Sequence, residues 1–293
     1  MLVNFFSSQE LNDKYELSFS YRYTLNYEKG LRSRIKKKIK CFPLNLPYLS
    51  SFKFIQYCQN NWMTKPLIII LRLITNLPFL IYEILILLRV FSKIKPDIIH
   101  LNSGGYPPTM SVKAAIIAAH FFKAKKLILV VNNLAENYNS LSRVFDMPLD
   151  RVIVKYVDIF VTGSKAAKNR LKNVLSLDEK KIMNIHNGIS LRKSQENIKD
   201  TRKRLGLIKK NIKVFGIVGL LIPRKGHMVL INSIELLVKN NVDNFVVLIE
   251  GEGYLKKKLE QEVISKGLNK YCIFIGHENN IIDFISAVDF IIF

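Results

Sequence analysis

From Ile212 to Leu230 the chain reads Ile-Lys-Val-Phe-Gly-Ile-Val-Gly-Leu-Leu-Ile-Pro-Arg-Lys-Gly-His-Met-Val-Leu, a pattern able to bind an anion. An apolar run stops at Gly219, and a basic turn holds Pro223, Arg224, Lys225 and Gly226. Apolar residues then resume at helical spacing, giving the order strand, loop, helix. At the carboxyl end of a strand, glycines let backbone approach a ligand. The next helix directs unpaired N–H groups at that ligand, and a lysine adds a full charge. A diphosphate fits such a place. Taken alone, the turn reads more simply as an ordinary strand-to-helix connection with solvated charges.

The elements that follow repeat the arrangement. Phe245 to Ile249 is a buried-type strand running into Glu250-Gly251-Glu252-Gly253. A helix from Tyr254 to Lys266 then sets Leu255, Leu259 and Val263 four apart and ends at Gly267. Tyr271 to Ile275 runs into Gly276-His277-Glu278, and a short helix around Asn279 to Ser286 leads to a strand over Ala287–Phe293. Upstream, a strand over Asp97–Leu101 carries His100 near its end. It opens into Asn102-Ser-Gly-Gly-Tyr-Pro-Pro108, ahead of a helix of small residues around Ala114 to Ala119. His100 is either a group facing a substrate or a hydrogen-bonded strand-end histidine. Leu127 to Val131 is the next strand and ends at Asn132-Asn133; Val157–Val161 and Ile182–Ile185 complete this first sheet. Ser164 is placed to cap a helix over Lys165–Val174. Repeated β-loop-α units with near-continuous apolar strands predict α/β architecture with parallel, doubly wound sheets and ligand chemistry at the strand ends.

The order of these residues resembles a known family. Val-Gly219, Lys225-Gly226, Glu250-Gly-Glu-Gly253, Phe274-Ile-Gly276 and Ala287-Val-Asp289 are similar to the carboxyl-terminal domain of the retaining GT-B glycosyltransferases, the large group 1, family 4. His186-Asn187-Gly188-Ile189 resembles that family's Asn-Gly turn, and Val161-Thr-Gly-Ser164-Lys165 its serine turn. Pro96-Asp97-Ile-Ile-His100 resembles one of its strands. The resemblance covers roughly two thirds of the chain. It implies two Rossmann-like doubly wound domains, both incomplete here: residues 1–195 on the acceptor side, lacking a first strand, and 196–293 holding the nucleotide-sugar and truncated after a fourth strand. It implies a metal-independent hexosyltransferase that needs no cofactor beyond its donor, a nucleotide-diphosphate-sugar. The acceptor would be a glycan or lipid-linked saccharide in cell-surface polysaccharide synthesis. Donor contacts are carried over to Gly219, Arg224, Lys225, Gly251, Glu252, Gly253, Gly276, His277, Asn187 and Gly188.

The chain also departs from the family. An arginine usually follows the glycine at the position of Leu220, and Arg224 is the available replacement. A histidine usually stands where Asn132 and Asn133 do, which leaves His100, Asn132 and Asn133 as candidates near the reacting sugar. The family's Glu-x7-Glu pair would lie beyond Phe293. The expectation is therefore a fragment that is inactive as it stands. The alternative is a degenerate, non-catalytic nucleotide-sugar binder at a membrane. A nicotinamide enzyme has only Gly251-Glu-Gly253 in its favour, with no third glycine.

In 293 residues, 45 Lys and Arg stand against 23 Asp and Glu, a net charge of +22, gathered in runs such as 29–40, Arg202–Arg204 and Lys256–Lys258. Such runs attract anionic lipid or anionic sugar-nucleotides. No zinc-finger spacing or RNA-recognition aromatic motif supports nucleic acid as a partner. The alternative for the charge is a basic proteome with solvated lysines. Cys41, Cys58 and Cys272 lie far apart, which argues against a disulfide framework or a metal site and fits a reducing cytoplasm. Leu31, Ile35 and Ile39 fall four apart, so 29–40 reads either as an amphipathic helix on an anionic membrane surface or as a solvated helix. Residues 66–91 are interrupted by Arg72, Asn76, Pro78, Glu83 and Arg89. They read as two helices broken near Pro78, packed on the sheet or dipping into the membrane interface, and not as a span. A cytoplasmic protein, peripheral on the membrane's inner face, is expected. The polar stretch Leu191–Lys210 reads as the linker between domains.

Overall fold

The computed structural model describes residues 2–35, 39–46, 65–188, 191–207, 212–278 and 280–293. The chain divides into two units, Met1–Gly188 and Ile189–Phe293.

The first unit opens with two short helices, α1 (Leu2–Ser7) and α2 (Gln9–Lys14), followed by β1 (Ser18–Arg22), α3 (Leu25–Arg34) and β2 (Lys40–Leu44). β1 and β2 pair in parallel as a sheet of their own. Residues 29–40 do not form the single amphipathic helix expected. α3 begins earlier, capped by the Thr24 hydroxyl, which accepts from the Tyr27 N–H, and it ends at the extended Ile35. Lys40 starts β2, so Leu31, Ile35 and Ile39 share no helical face: pairing with β1 overrides the local spacing. Lys36, Lys37, Lys38 and Cys58 lie outside the described residues.

The main sheet of this unit has β3 (Ile98–Ser103), β4 (Lys126–Val131), β5 (Ile159–Thr162) and β6 (Ile182–Asn184), all parallel and in that spatial order. Helix α4 (Lys65–Ile94) precedes β3, and α5 (Met110–Phe122) joins β3 to β4. Helices α6 (Leu141–Phe145) and α7 (Met147–Tyr156) lead to β5, and α8 (Lys165–Leu175) leads to β6. Ser164 caps α8 as expected, its hydroxyl accepting from the Ala167 N–H.

α4 is one helix, not two: Pro78 lies inside it. A proline there removes a backbone hydrogen bond and costs about 3 kcal/mol. The downstream half offsets this by burying Leu87 and Phe91 in the core beside α5. Glu83, which interrupts the apolar run in the sequence, points inward. It is 1% exposed, accepts from Arg22 Nη2 at 2.9 Å and from Ser111 Oγ at 3.2 Å, and so fastens β1 to α4 and α5.

The second unit contains α9 (Ile198–Arg204), β7 (Lys213–Val218), a 3-10 turn at Pro223–Lys225, α10 (His227–Lys239), β8 (Phe245–Glu250), α11 (Lys256–Ser265), β9 (Cys272–Gly276), α12 (Ile281–Ala287) and β10 (Phe290–Ile292). Its parallel sheet runs β10-β7-β8-β9. β8 is buried along its whole length, with Phe245, Val247 and Ile249 in one core layer and Val246 and Leu248 in the other. A strand covered on both faces reads as an unbroken apolar run, and this one does. Cys272 belongs to the first of these layers, and burial pushes its thiol up to about 12. Strand order reverses at β7, whose neighbours β8 and β10 lie on opposite sides. That reversal is where open α/β sheets bind ligands.

The stretch Leu191–Lys210 is not simply linker, because it contains α9. Asp283 of α12 fastens its start: Ser194 Oγ donates at 2.6 Å, and the Gln195 and Glu196 N–H groups at 2.7 and 3.2 Å. Arg202 Nη2 meets Asp289 at 2.7 Å. The Ser194 hydroxyl, then those N–H groups and the Asn280 amide, hold the Asp283 carboxyl below the usual carboxylate range. A lowered pKa gives stability that is full above the ordinary carboxyl value and fades as the pH falls through the lowered one. Urea unfolding of this unit is expected to weaken below about pH 4, with part of that slope missing in Asp283→Asn. Equal slopes in the two proteins would remove Asp283 from the account.

Candidate functional site

In the second unit the loops after β7, β8 and β9 are bonded to one another through their backbones. The Gly219 N–H donates to the Glu250 carbonyl at 3.0 Å, the Leu221 N–H to the Glu252 carbonyl at 3.0 Å, and the Gly251 N–H to the Gly276 carbonyl at 2.8 Å. Two of the glycines are dictated by this contact. Gly251 has φ +134°, and a Cβ there would lie 2.0 Å from the Gly219 carbonyl oxygen. A Cβ on Gly253 would lie 2.4 Å from that of Leu221. Their spacing therefore records backbone pressed against backbone, whatever they also do for a ligand.

Lys225 is exposed, and its aliphatic stem lies over Gly219, where a Cβ would sit 3.5 Å from Cδ. Gly226, at φ +71°, starts α10 with no side-chain cap, so a 13-residue helix presents its amino end beside Arg224 and Lys225. Leu220 is 58% exposed at the same rim. Opposite in sign are Glu250 and Glu252. Glu250 is buried and accepts from the Glu278 N–H at 3.0 Å, with His277 Nδ1 at 3.3 Å. Glu252 pairs with Lys256 at 2.8 Å and borders Gly276. The expected Gly219, Arg224, Lys225, Gly251, Glu252, Gly253, Gly276 and His277 thus collect at one end of the sheet, at its switch point. His227 is 1% exposed with neither ring nitrogen partnered among the described residues; burial, then Lys225, lowers its pKa.

Asn187 and Gly188 belong to the first unit, where the Asn187 amide lies against Gly163 after β5. His100 is not at a strand end. It sits within β3, paired in register with Ile128, and stacks on Phe5 at 5.7 Å between ring centroids. β3 runs on to Ser103 because Asn102 and Ser103 pair with Val130 and Val131 of β4. Asn132 and Asn133 do lie at strand ends. Asn132 Nδ2 donates to Asn102 Oδ1 at 2.5 Å and to the Ser103 carbonyl at 2.7 Å, and Asn133 Nδ2 to the Gly104 carbonyl at 2.5 Å. Asn102 is thus the side-chain partner of Asn132.

Beneath these loops is a buried network that the sequence did not reveal. The hydroxyls of Tyr106, from the loop after β3, and Tyr138, from the loop after β4, donate to Asp150 of α7 at 2.9 and 2.7 Å. Arg143 Nη1 donates to the same carboxylate at 2.6 Å, and its guanidinium lies 4.4 Å from the Tyr138 ring centroid and 5.4 Å from that of Tyr106. Lys113 pairs with Asp146 alongside at 2.6 Å. Burial pushes the Tyr138 phenol up to about 12, so it stays a donor. Spacing alone gives no signal for a network drawn from four separate segments. The Asp residues that precede β5 and β10 are structural clasps. Asp158 accepts from the Leu127 N–H at 2.7 Å and Asp289 from the Val214 N–H at 2.8 Å, each fixing the start of the neighbouring strand. Among the described residues no cluster of His, Cys, Asp and Glu is arranged to hold a metal ion.

Two parallel-sheet α/β units, one with convergent glycine and lysine loops at its switch point, have the GT-B glycosyltransferase fold. Residues 54–193 match the family model Glycosyltransferase Family 4 and residues 197–293 match Glycosyl transferases group 1, and the chain belongs to this family of glycosyltransferases. Among solved structures it is similar to Anabaena HepE in complex with UDP and glucose, with a TM-score of 0.61 and 16% identity, covering 93% of this chain and 64% of that one. A glycosyltransferase from Rickettsia africae ESF-5 gives a TM-score of 0.61 at 18% identity, covering 93% and 62%. Among curated proteins, the Escherichia coli UDP-Gal:alpha-D-GlcNAc-diphosphoundecaprenol alpha-1,3-galactosyltransferase is 26% identical over 218 residues, 69% of this chain and 53% of that protein. An uncharacterized glycosyltransferase of Methanocaldococcus jannaschii is 25% identical over 219 residues, 72% and 52%. The chain spans about half the length of the curated relatives it matches.

Proposed function

We propose that the second unit binds a nucleotide-diphosphate-sugar at the ends of β7, β8 and β9, and that the protein transfers the sugar, with retention, to a glycan or lipid-linked acceptor in polysaccharide synthesis. The observation that carries this reading is Lys225 laid over Gly219, beside the uncapped start of α10, at the point where strand order reverses. Transfer leaves negative charge on the departing diphosphate. A lysine, a neighbouring arginine and a helix amino end already fixed around it stabilise that charge as it forms, without calling on a metal ion. Asn132 and Asn133, locked to the neighbouring loop, position a sugar hydroxyl by hydrogen bonds and cannot act as bases at neutral pH. A lipid-linked acceptor, like the one in the Escherichia coli relative's name, places the work at the cytoplasmic face of an anionic membrane, with the protein peripheral to it. Among the described residues no helix is long and apolar enough to cross a membrane.

A titration of the full chain with UDP tests donor binding, and transfer from UDP-sugars tests turnover. Lys225→Ala is expected to lower transfer about a hundredfold or more and to weaken UDP binding with it. Arg224→Ala weakens both if Arg224 replaces the arginine absent at Leu220, and is close to neutral if it is only a solvated side chain. Undiminished UDP binding in Lys225→Ala would remove the diphosphate from this loop. The exposed Leu220 favours a second reading, a binder without turnover. UDP binding that depends on Lys225, with no transfer from any UDP-sugar, would select it.

A further inference from the structure

α4 has an apolar outward face. Between residues 77 and 85 its exposed residues are Leu77 (61%), Pro78, Ile81 (50%), Tyr82 (47%) and Leu85 (52%), with no charge among them. Leu77, Ile81 and Leu85 are four apart, so they form one stripe along the helix, and Tyr82 borders it. Over the next two turns the exposed side chains change to Arg89, Ser92 and Lys93. The one acidic residue of α4, Glu83, is turned inward and paired with Arg22, so it subtracts nothing from the outward charge. The opposite side of the helix, through Leu87 and Phe91, is already committed to the core. Pro78 lies inside the helix, and Ile81 and Leu85 follow it in the same unbroken helical run.

We infer that this face of α4 docks on an anionic lipid surface, with Leu77, Ile81 and Leu85 entering the headgroup and acyl boundary, Tyr82 at its level and Arg89 and Lys93 on the lipid phosphates. Charge complementarity selects this occupant. A protein of net charge +22 presents an apolar stripe that ends in cations and carries no exposed acid, the make-up of a helix that lies in a membrane interface. A second copy of this basic chain would bring no matching negative charge. The inference uses the reading above only in taking a membrane-borne acceptor as the reason for such a face, and its test does not require sugar transfer. Of the two stretches expected to meet a membrane, 29–40 and 66–91, it uses the second.

The full chain is to be sedimented with mixed phosphatidylglycerol and phosphatidylcholine vesicles and with pure phosphatidylcholine vesicles, over a range of salt. Binding to the anionic vesicles that weakens in salt is expected, with the Ile81→Glu, Leu85→Glu double variant about tenfold weaker or more. The milder Ile81→Ser, Leu85→Ser pair is expected to fall between. Melting temperature and UDP titration should match the unsubstituted protein in both, because the substituted side chains are exposed and lie outside the donor loops. If either pair binds anionic vesicles as well as the unsubstituted chain, the apolar face is not the contact and the inference fails. It fails equally if binding ignores lipid charge, or if light scattering shows a dimer that these substitutions dissolve, since the stripe is then covered by a second copy. Loss of UDP binding in Lys225→Ala with vesicle binding intact would separate this inference from the donor site.

Discussion

Gly251→Ala is expected to unmake the proposed donor site and to destabilise the second unit by on the order of 3–5 kcal/mol, combining a left-handed backbone that alanine resists with an overpacked contact. The added Cβ would meet the Gly219 carbonyl oxygen at 2.0 Å, a backbone atom with no side-chain freedom to yield, at a φ of +134°. Relief requires the loop after β8 to withdraw from the loop after β7. That breaks the Gly219 to Glu250 and Leu221 to Glu252 hydrogen bonds and displaces Gly219 from under Lys225. UDP affinity should therefore fall together with stability. Gly104→Ala is the control, since a Cβ there meets nothing within 4 Å and the residue carries no positive φ. Urea unfolding and UDP titration of the two variants decide the matter. A Gly251→Ala protein as stable as Gly104→Ala would mean that the loops do not pack as described.

The second large effect is expected at Arg143. Replacing it by alanine leaves the Asp150 side chain, 2% exposed, without its cation and with two tyrosine hydroxyls as its remaining side-chain partners among the described residues, and removes the cation between two rings. Breaking one side of a buried ion pair costs roughly 3–5 kcal/mol. The Arg143→Met, Asp150→Leu pair removes both charges and keeps most of the volume, so it should be less destabilised than the single alanine variant. Hydrogen exchange ought to report the loss in residues 103–109 and 132–140, because Tyr106 and Tyr138 are held through Asp150. Slow exchange in those loops in Arg143→Ala would show that the network does not hold them. Asn132 and Asn133 are tied to the loop after β3, so their positions should loosen, while the UDP binding proposed for the other unit is expected to be untouched.

Much of the second unit was legible in the sequence. Its central strand is covered on both faces, so every residue from Phe245 to Ile249 is apolar, and the helix after it repeats Leu255, Leu259 and Val263 at the period of its own turn. Those patterns are local, and local rules read them. The place of Gly219 and Lys225 was legible for the same reason, since a loop between a strand and a helix is marked by its own residues without reference to anything distant. The first unit was read less well where contacts from far along the chain override local spacing. Pro78 signals a break, but the burial of Leu87 and Phe91 carries the helix through it. Leu31, Ile35 and Ile39 signal a helix, but β2 must extend to pair with β1.

The sequence by itself determined the alternation of strands and helices, the α/β class and the place of Gly219 and Lys225 between a strand and a helix, because each depends on neighbours within a few residues. The tertiary structure alone decided that β10 lies beside β7, so that strand order reverses at the lysine loop. It alone set Gly251 and Gly253 against the Gly219 and Leu221 carbonyls, gave Asn132 the partner Asn102, and joined Tyr106, Tyr138, Arg143 and Asp150 in one buried network. Strand order, backbone contact and buried charge pairing all join residues tens of positions apart, and no period or spacing along one segment records where another segment will lie.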